Sequence, residues 1–361
     1  MKTTLKILTA ALSALLAFTL TLTPAAAQDL KIGFVYVGPI GDHGWTYRHN
    51  EGRRAIEQAL GGRVETTFVE SVSEGQDAER VIRKLATEGN GLIFTTSFGY
   101  MNSTIKVARQ FPEIKFEHAT GYKRAANVST YIGRFYEGRY VCGRIAGRMS
   151  KSGVVGYVAS FPIPEVVRGI NAFMLGMQSV RPDARIKVVW VNSWYDPGKE
   201  SDAAKALIDQ GADIIAQHTD SPAPLQVAES RGVFAFGQAS DNRAFAPKAH
   251  LTAIINDWAP YYIDRARAVL DGTWEKSDVW GGLATGMVAM APYNNDLMPR
   301  DVINDARNIE EAIKHRRLHP FAGPITRQDG TLAAAKGETL DDKTLLSMNW
   351  YVRGVEGKLP N

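Results

Sequence analysis

The segment KIGFVYVGPIGDHGWTYRHN, residues 31–50, changes character twice. Lys31 to Gly38 is apolar and β-branched enough for a buried strand. Pro39, Gly41 and Gly44 then break the pattern, and Asp42 is placed to cap a following helix. A strand, a Gly-rich turn and a helix start make the first half of a βαβ unit. In such sheets small molecules bind outside the carboxyl ends of the strands, near helix N-termini. Trp45 stands at that end. A tryptophan there either caps the core or walls a ligand, and this stretch alone leaves both open.

The same alternation continues downstream. Gly75–Glu88 carries Ala78, Val81, Ile82 and Leu85 at helical spacing, and the strand Gly91–Thr95 runs into the polar turn Ser97–Tyr100. After Tyr136 the pattern restarts. Strands Gly153–Val158, Ile186–Val191, Ile214–Gln217 and Val233–Gly237 run into turns at Ser160–Pro164, Asn192–Asp196, His218–Ser221 and Gln238–Asn242. Helices separate them, so the chain predicts an α/β fold of two Rossmann-like lobes, each with a parallel doubly wound sheet and right-handed crossovers.

The length, 361 residues, exceeds that of a usual single core and agrees with two lobes. Residues 1–27 read separately: Lys2 and Lys6 precede an apolar run from Ile7 to Leu22, and Pro24–Ala27 resembles a small-residue cleavage site. We expect a cleavable signal peptide and a soluble periplasmic chain starting near Gln28. No cysteine near the cleavage site could carry a lipid, and Cys142, the only cysteine, excludes an intrachain disulfide. Removing the leader takes the formal charge from +4 to +2, so the charge gives no support to a nucleic-acid partner. A monomer is expected.

The residues at the expected strand ends include Asp42, Trp45, Phe98, Phe161, Trp194, Asp220 and Asp241. Singly, such aromatics are common in cores and such aspartates are common caps. Their recurrence at one topological position in both lobes is what core packing does not predict. Rings stack on planar heterocycles, and an ionised aspartate only accepts hydrogen bonds, which selects amino or ring N–H groups. An anionic ligand would call for Arg or Lys at helix starts instead. Catalytic signatures are missing: no GxSxG elbow, HExxH pair or Walker loop occurs, and the seven histidines show no metal spacing. His43 and His218 lie at strand ends and read as surface hydrogen-bonders. We expect no enzyme, cofactor or metal site. A solute receptor, a sugar receptor and a secreted nucleoside hydrolase remain the readings to separate.

Four segments carry a resemblance: GDHGWTYRHNEGR (residues 41–53), FYEGRYVCGRIAG (135–147), VNSWYDPGKE (191–200) and LSMNWYVRGVEGKLP (346–360). Together they resemble the basic membrane protein (BMP) family, binding proteins of ABC importers associated with purine nucleosides and bases, within the type I periplasmic binding proteins. The resemblance implies a purine ligand, an inner-membrane ABC permease as partner and a stacking role for Trp45. It implies that Asp241 reads the base, with Trp194 and Asp220 at neighbouring strand ends; the strand-end pattern itself adds Phe98 and Phe161 to the ring set and leaves Asp42 as a helix cap. The turn Ser97–Tyr100 lacks the carboxylate that nucleoside-binding members use for ribose, which favours a free base such as adenine. The topology of the class implies three crossings, near Arg134, Thr252–Asn256 and Gly281–Thr285. Residues 28–134 plus 253–281 then form one lobe, and 135–252 plus 282–361 the other.

Overall fold

The computed structural model describes residues 30–360, and the expected signal peptide, residues 1–27, lies outside them. The first half runs β1 (Leu30–Val35), α1 (Gly44–Leu60), β2 (Val64–Val69), α2 (Gln76–Thr87), β3 (Leu92–Thr95), α3 (Met101–Ala108), β4 (Lys115–Ala119) and β5 (Val128–Gly133). The second runs α4 (Phe135–Met149), β6 (Val154–Ala159), α5 (Pro164–Gln178), β7 (Arg185–Trp190), α6 (Pro197–Asp209), β8 (Ile214–His218), α7 (Ala223–Ser230), β9 (Phe234–Gly237) and β10 (His250–Asn256). Then follow α8 (Ala259–Leu270), β11 (Asp278–Gly281), β12 (Val288–Met290), α9 (Arg300–Lys314), β13 (Ile325–Thr326), β14 (Leu332–Ala334), α10 (Asp342–Leu346) and β15 (Val355–Glu356).

Two large sheets result, ordered β11-β5-β4-β3-β1-β2 and β12-β10-β9-β8-β6-β7-β15. Within them every pairing is parallel except β10 with β12. Central strands β3, β5, β6 and β8 are buried along their whole length, whereas the edge strand β2 alternates, as expected when helices cover both faces of a sheet. In each sheet the lobe's first strand, β1 or β6, has its second strand on one side and its third on the other. The order therefore reverses beside β1 and β6, where a crevice opens at the carboxyl ends.

The chain leaves the first sheet after β5 and returns to it as β11. The sequence places the second crossing at Thr252–Asn256, with the handover at Ala253. That segment is β10, which pairs with β9 and β12 along its length, so it stays in the second sheet to Asn256 and the chain passes over afterwards. An unbroken apolar run gives no sign of which sheet a strand joins.

Helices α4 and α5 form the tightest helix pair. A Cβ on Gly143 would stand 1.9 Å from the Phe173 carbonyl oxygen, and one on Gly176 2.2 Å from that of Tyr140. Both contacts are to backbone, which cannot swing away. Gly143→Val should therefore force the helices apart, lowering stability by about 1–3 kcal/mol in a denaturant titration. An unchanged midpoint would show that the pair tolerates separation.

Candidate ligand-binding cleft

Helix α1 begins at Gly44, and His43 at its N-cap makes no side-chain cap hydrogen bond. The expected cap, Asp42, instead bonds the His43 ring at 2.8 Å and is largely exposed. The caps come from the second lobe: the Trp45 N–H donates to Asp220 Oδ1 at 2.5 Å, and the Gly44 N–H donates to Ser240 Oγ at 2.7 Å. Asp220 follows β8 and Ser240 follows β9, so these bonds span the two sheets. Gly44 has φ +82°, and a Cβ there would lie 2.3 Å from Asp220 Oδ1. Glycine is required twice over, by backbone conformation and by space.

Below this contact lies a cleft holding about 440 Å³ of empty space, its open mouth included. The first lobe contributes Val37, Trp45, Ser97, Phe98 and Thr120, and the second contributes Glu165, Trp194, His218, Thr219, Asp220 and Gln238. Trp45 is half-buried: its indole N–H donates to the Thr96 carbonyl at 2.7 Å, and its ring meets His49, Trp258 and Phe135 edge-on. It caps the core and walls the cleft at once, so the two readings of this residue are compatible. Trp194 stands on the other side, its indole N–H reaching Glu74 Oε1 of the first lobe at 3.2 Å. Glu74 also accepts from Ser97 Oγ at 2.5 Å and the Gly99 N–H at 3.1 Å. A carboxylate thus does reach the turn after β3, and all three protein donors meet its Oε1.

Four of the six expected residues, Trp45, Phe98, Trp194 and Asp220, line the cleft. Phe161 does not; its ring packs against that of Trp194, with centroids 5.1 Å apart. Asp241 is displaced outward. Its side chain is 41% exposed and accepts from the Arg243 N–H at 3.0 Å, because the turn holds Ala239 at φ +61° and directs Gln238 inward in its place.

The polar wall was not legible in the aromatic and aspartate pattern. His218 is buried rather than a surface hydrogen-bonder, with Nε2 3.4 Å from Glu165 Oε1, and burial holds its pKa below the usual imidazole value. Glu165 Oε2 is buried without a partner. Each of these residues ends a strand or starts the next helix, so polar identity at those positions was the available signal. Among the described residues no Arg or Lys lines the cleft, which leaves an anionic ligand without a counter-charge in its lining. Burial, reinforced by Glu200, pushes the Asp220 carboxyl up to about 7 against the opposing Trp45 hydrogen bond.

Two sheets facing each other across a ring-lined, polar-floored cleft at their switch points define a two-lobed solute receptor. Residues 29–320 match the family model of PnrA-like ABC transporter substrate-binding proteins (Bmp), and the chain belongs to that family. It is 62% identical to a purine-binding protein of Brucella abortus over 335 residues, covering 93% of this chain and 95% of the relative. It is 37% identical to a putative ABC transporter glucose-binding protein of Haloferax volcanii, covering 94% and 83%. Its fold is that of an ABC transporter solute-binding protein from Aeropyrum pernix K1, with TM-score 0.70, 18% identity and coverage of 88% and 95%. Proteins of this class bind small molecules outside the cytoplasm and work with a membrane permease.

Two outcomes follow from the interlobe contact. Gly44→Ala should weaken ligand binding at least about tenfold in calorimetry, through the strained backbone and the clash with Asp220, while melting of the unliganded protein changes little. Asp220 gives a pH dependence. Its carboxyl in the closed form binds a proton up to about pH 7, whereas a solvated aspartate releases it near ~3.9. Its contribution to closure is fully present below that lower value and is lost as pH rises through about 7. Wild-type affinity should therefore fall between pH 5 and pH 8, and Asp220→Asn should flatten the profile.

Proposed function

We propose that this protein is a monomeric periplasmic receptor that binds a purine base, adenine favoured, between its lobes and delivers it to the permease of an ABC importer. One observation carries the reading. Aromatic faces from both lobes, Trp45 and Phe98 against Trp194, share a cleft lined also by Glu165, whose Oε2 is buried and has no partner among the described residues. Such a pair suits a flat ring bearing an N–H donor, because stacking recognises the face and a carboxylate only accepts. The relationship to the Brucella purine-binding protein supports the same ligand class. A base is favoured over a nucleoside because the turn after β3 carries no carboxylate of its own, and the one that reaches it, Glu74, spends Oε1 on Ser97, Gly99 and Trp194. Binding, closure and release need no chemical step, and none is assigned.

Calorimetry with adenine, hypoxanthine, guanine, adenosine, ribose and glucose tests the proposal. Adenine should bind most tightly, and binding of glucose alone would overturn it. Incubation with adenosine or inosine should release no base; released base would identify a hydrolase. Trp45→Ala should weaken adenine binding by roughly 1–3 kcal/mol, and an unchanged affinity would remove Trp45 from the ligand wall.

A further inference from the structure

Arg139, on α4, is fully buried, yet among the described residues no carboxylate lies within ion-pair distance of its guanidinium. Its Nε and Nη1 have no partner, and Tyr157 offers only a ring face, 5.6 Å from the guanidinium carbon. The one hydrogen bond it makes runs from Nη2 to the side-chain oxygen of Gln238. Burying a cation without a counter-charge is costly, so a group that does so for a single amide contact demands a reason.

The direction of that contact follows from chemistry. A guanidinium only donates, so the amide oxygen of Gln238 must face it and the amide NH₂ must face away. Gln238 lines the cleft, and among the described residues its NH₂ makes no hydrogen bond. Its backbone is held as well, by Asn242 Oδ1 accepting from the Gln238 N–H at 3.2 Å and by the Ser240 N–H donating to its carbonyl at 2.8 Å. Glu165 lines the same wall, across the end of β8, and its buried Oε2 has no partner among the described residues.

We infer that Arg139 sets the specificity of the cleft without touching the ligand: by holding the Gln238 carbonyl it turns the Gln238 NH₂ inward as a fixed donor, opposite in sense to the Glu165 acceptor. The inference rests on the purine reading above. The wall then reads a heteroaromatic edge that carries an acceptor beside a donor, as adenine does with a ring nitrogen next to its amino group. Glutamine alone would not discriminate, since its amide can present either end. Arg139 is thus a positioning residue, and Gln238 and Glu165 are the groups that meet the ligand.

The test measures the ratio of dissociation constants for deazaadenines and adenine, using 1-deazaadenine and 7-deazaadenine, each of which replaces one ring acceptor by C–H. In the wild type one of the two analogues should bind about tenfold more weakly than adenine, the effect of an unpaired buried donor. Arg139→Met removes the donor at similar length and frees the amide to turn. Gln238→Glu keeps the pair with Arg139 and presents an acceptor inward. Arg139→Met should bring that ratio to within about twofold, Gln238→Glu should bring it to one or below because its acceptor opposes the ring nitrogen, and Arg139→Lys, still a donor, should keep part of it. A purely structural Arg139 would weaken adenine and its analogues alike and leave the ratio unchanged in Arg139→Met and Gln238→Glu; that result overturns the inference while leaving the purine reading intact. No purine binding by the wild type would overturn the reading and the inference together.

Discussion

Every helix leaves its first backbone N–H groups without intrahelical partners. In α1 those groups are satisfied from the opposite lobe. Asp220 and Ser240 accept from Trp45 and Gly44, so capping the helix and closing the cleft are one event. A carboxylate at the positive end of a helix is favourable, and here burial works against it. The balance leaves Asp220 near its titration point, where a modest change in surroundings alters its charge. Gly44 is what permits the approach, and its position between His43 and Trp45 ties the latch to the ring that walls the cleft.

Trp45 is held by more than that latch. Residues Trp45, His49 and Gly52 fall on one face of α1, four and then three residues apart, and that face packs on α8. His49 stacks on Trp258 at 4.9 Å and bonds Tyr262 at 2.5 Å, and a Cβ on Gly52 would meet the Tyr262 ring at 2.7 Å. Helix α8 follows β10, so the chain comes back from the second sheet to brace the first helix. Buried Glu117 secures it there, accepting from Arg265 at 2.6 Å, Tyr261 at 2.6 Å and Trp274 at 2.8 Å. The ring that walls the cleft is therefore one edge of a packed aromatic cluster.

Much of this arrangement was legible in the chain. Strand-turn-helix alternation announced two parallel sheets, and strand ends announced the cleft, because apolar runs and turn residues follow local rules. What escaped depended on long-range choices. Asp42 satisfies every local criterion for a cap, yet the helix starts two residues later and is capped from residues 220 and 240. Asp241 and Gln238 occupy one turn, and only its left-handed Ala239 decides which side chain faces inward. Glu165 and His218 looked ordinary singly, since a helix-start glutamate and a turn histidine are common, and their meeting requires the β6–β8 neighbourship of the sheet.

The cleft divides its work between lobes. Glu165, His218, Thr219 and Gln238 all hang from the second sheet, so their mutual positions do not depend on closure. Trp45 and Phe98 follow strands of the first sheet and line the cleft from the other side. Hydrogen-bond matching is directional, and a buried mismatch costs about 1–3 kcal/mol, whereas stacking tolerates any planar ring. On the proposed reading, selection therefore belongs to the polar wall of the second lobe, and the rings of the first lobe add affinity without discriminating between planar ligands. The contacts between the lobes, from Asp220 to α1 and from Trp194 to Glu74, join protein to protein. They stabilise any closed form equally, so discrimination between ligands has to come from the fixed polar wall.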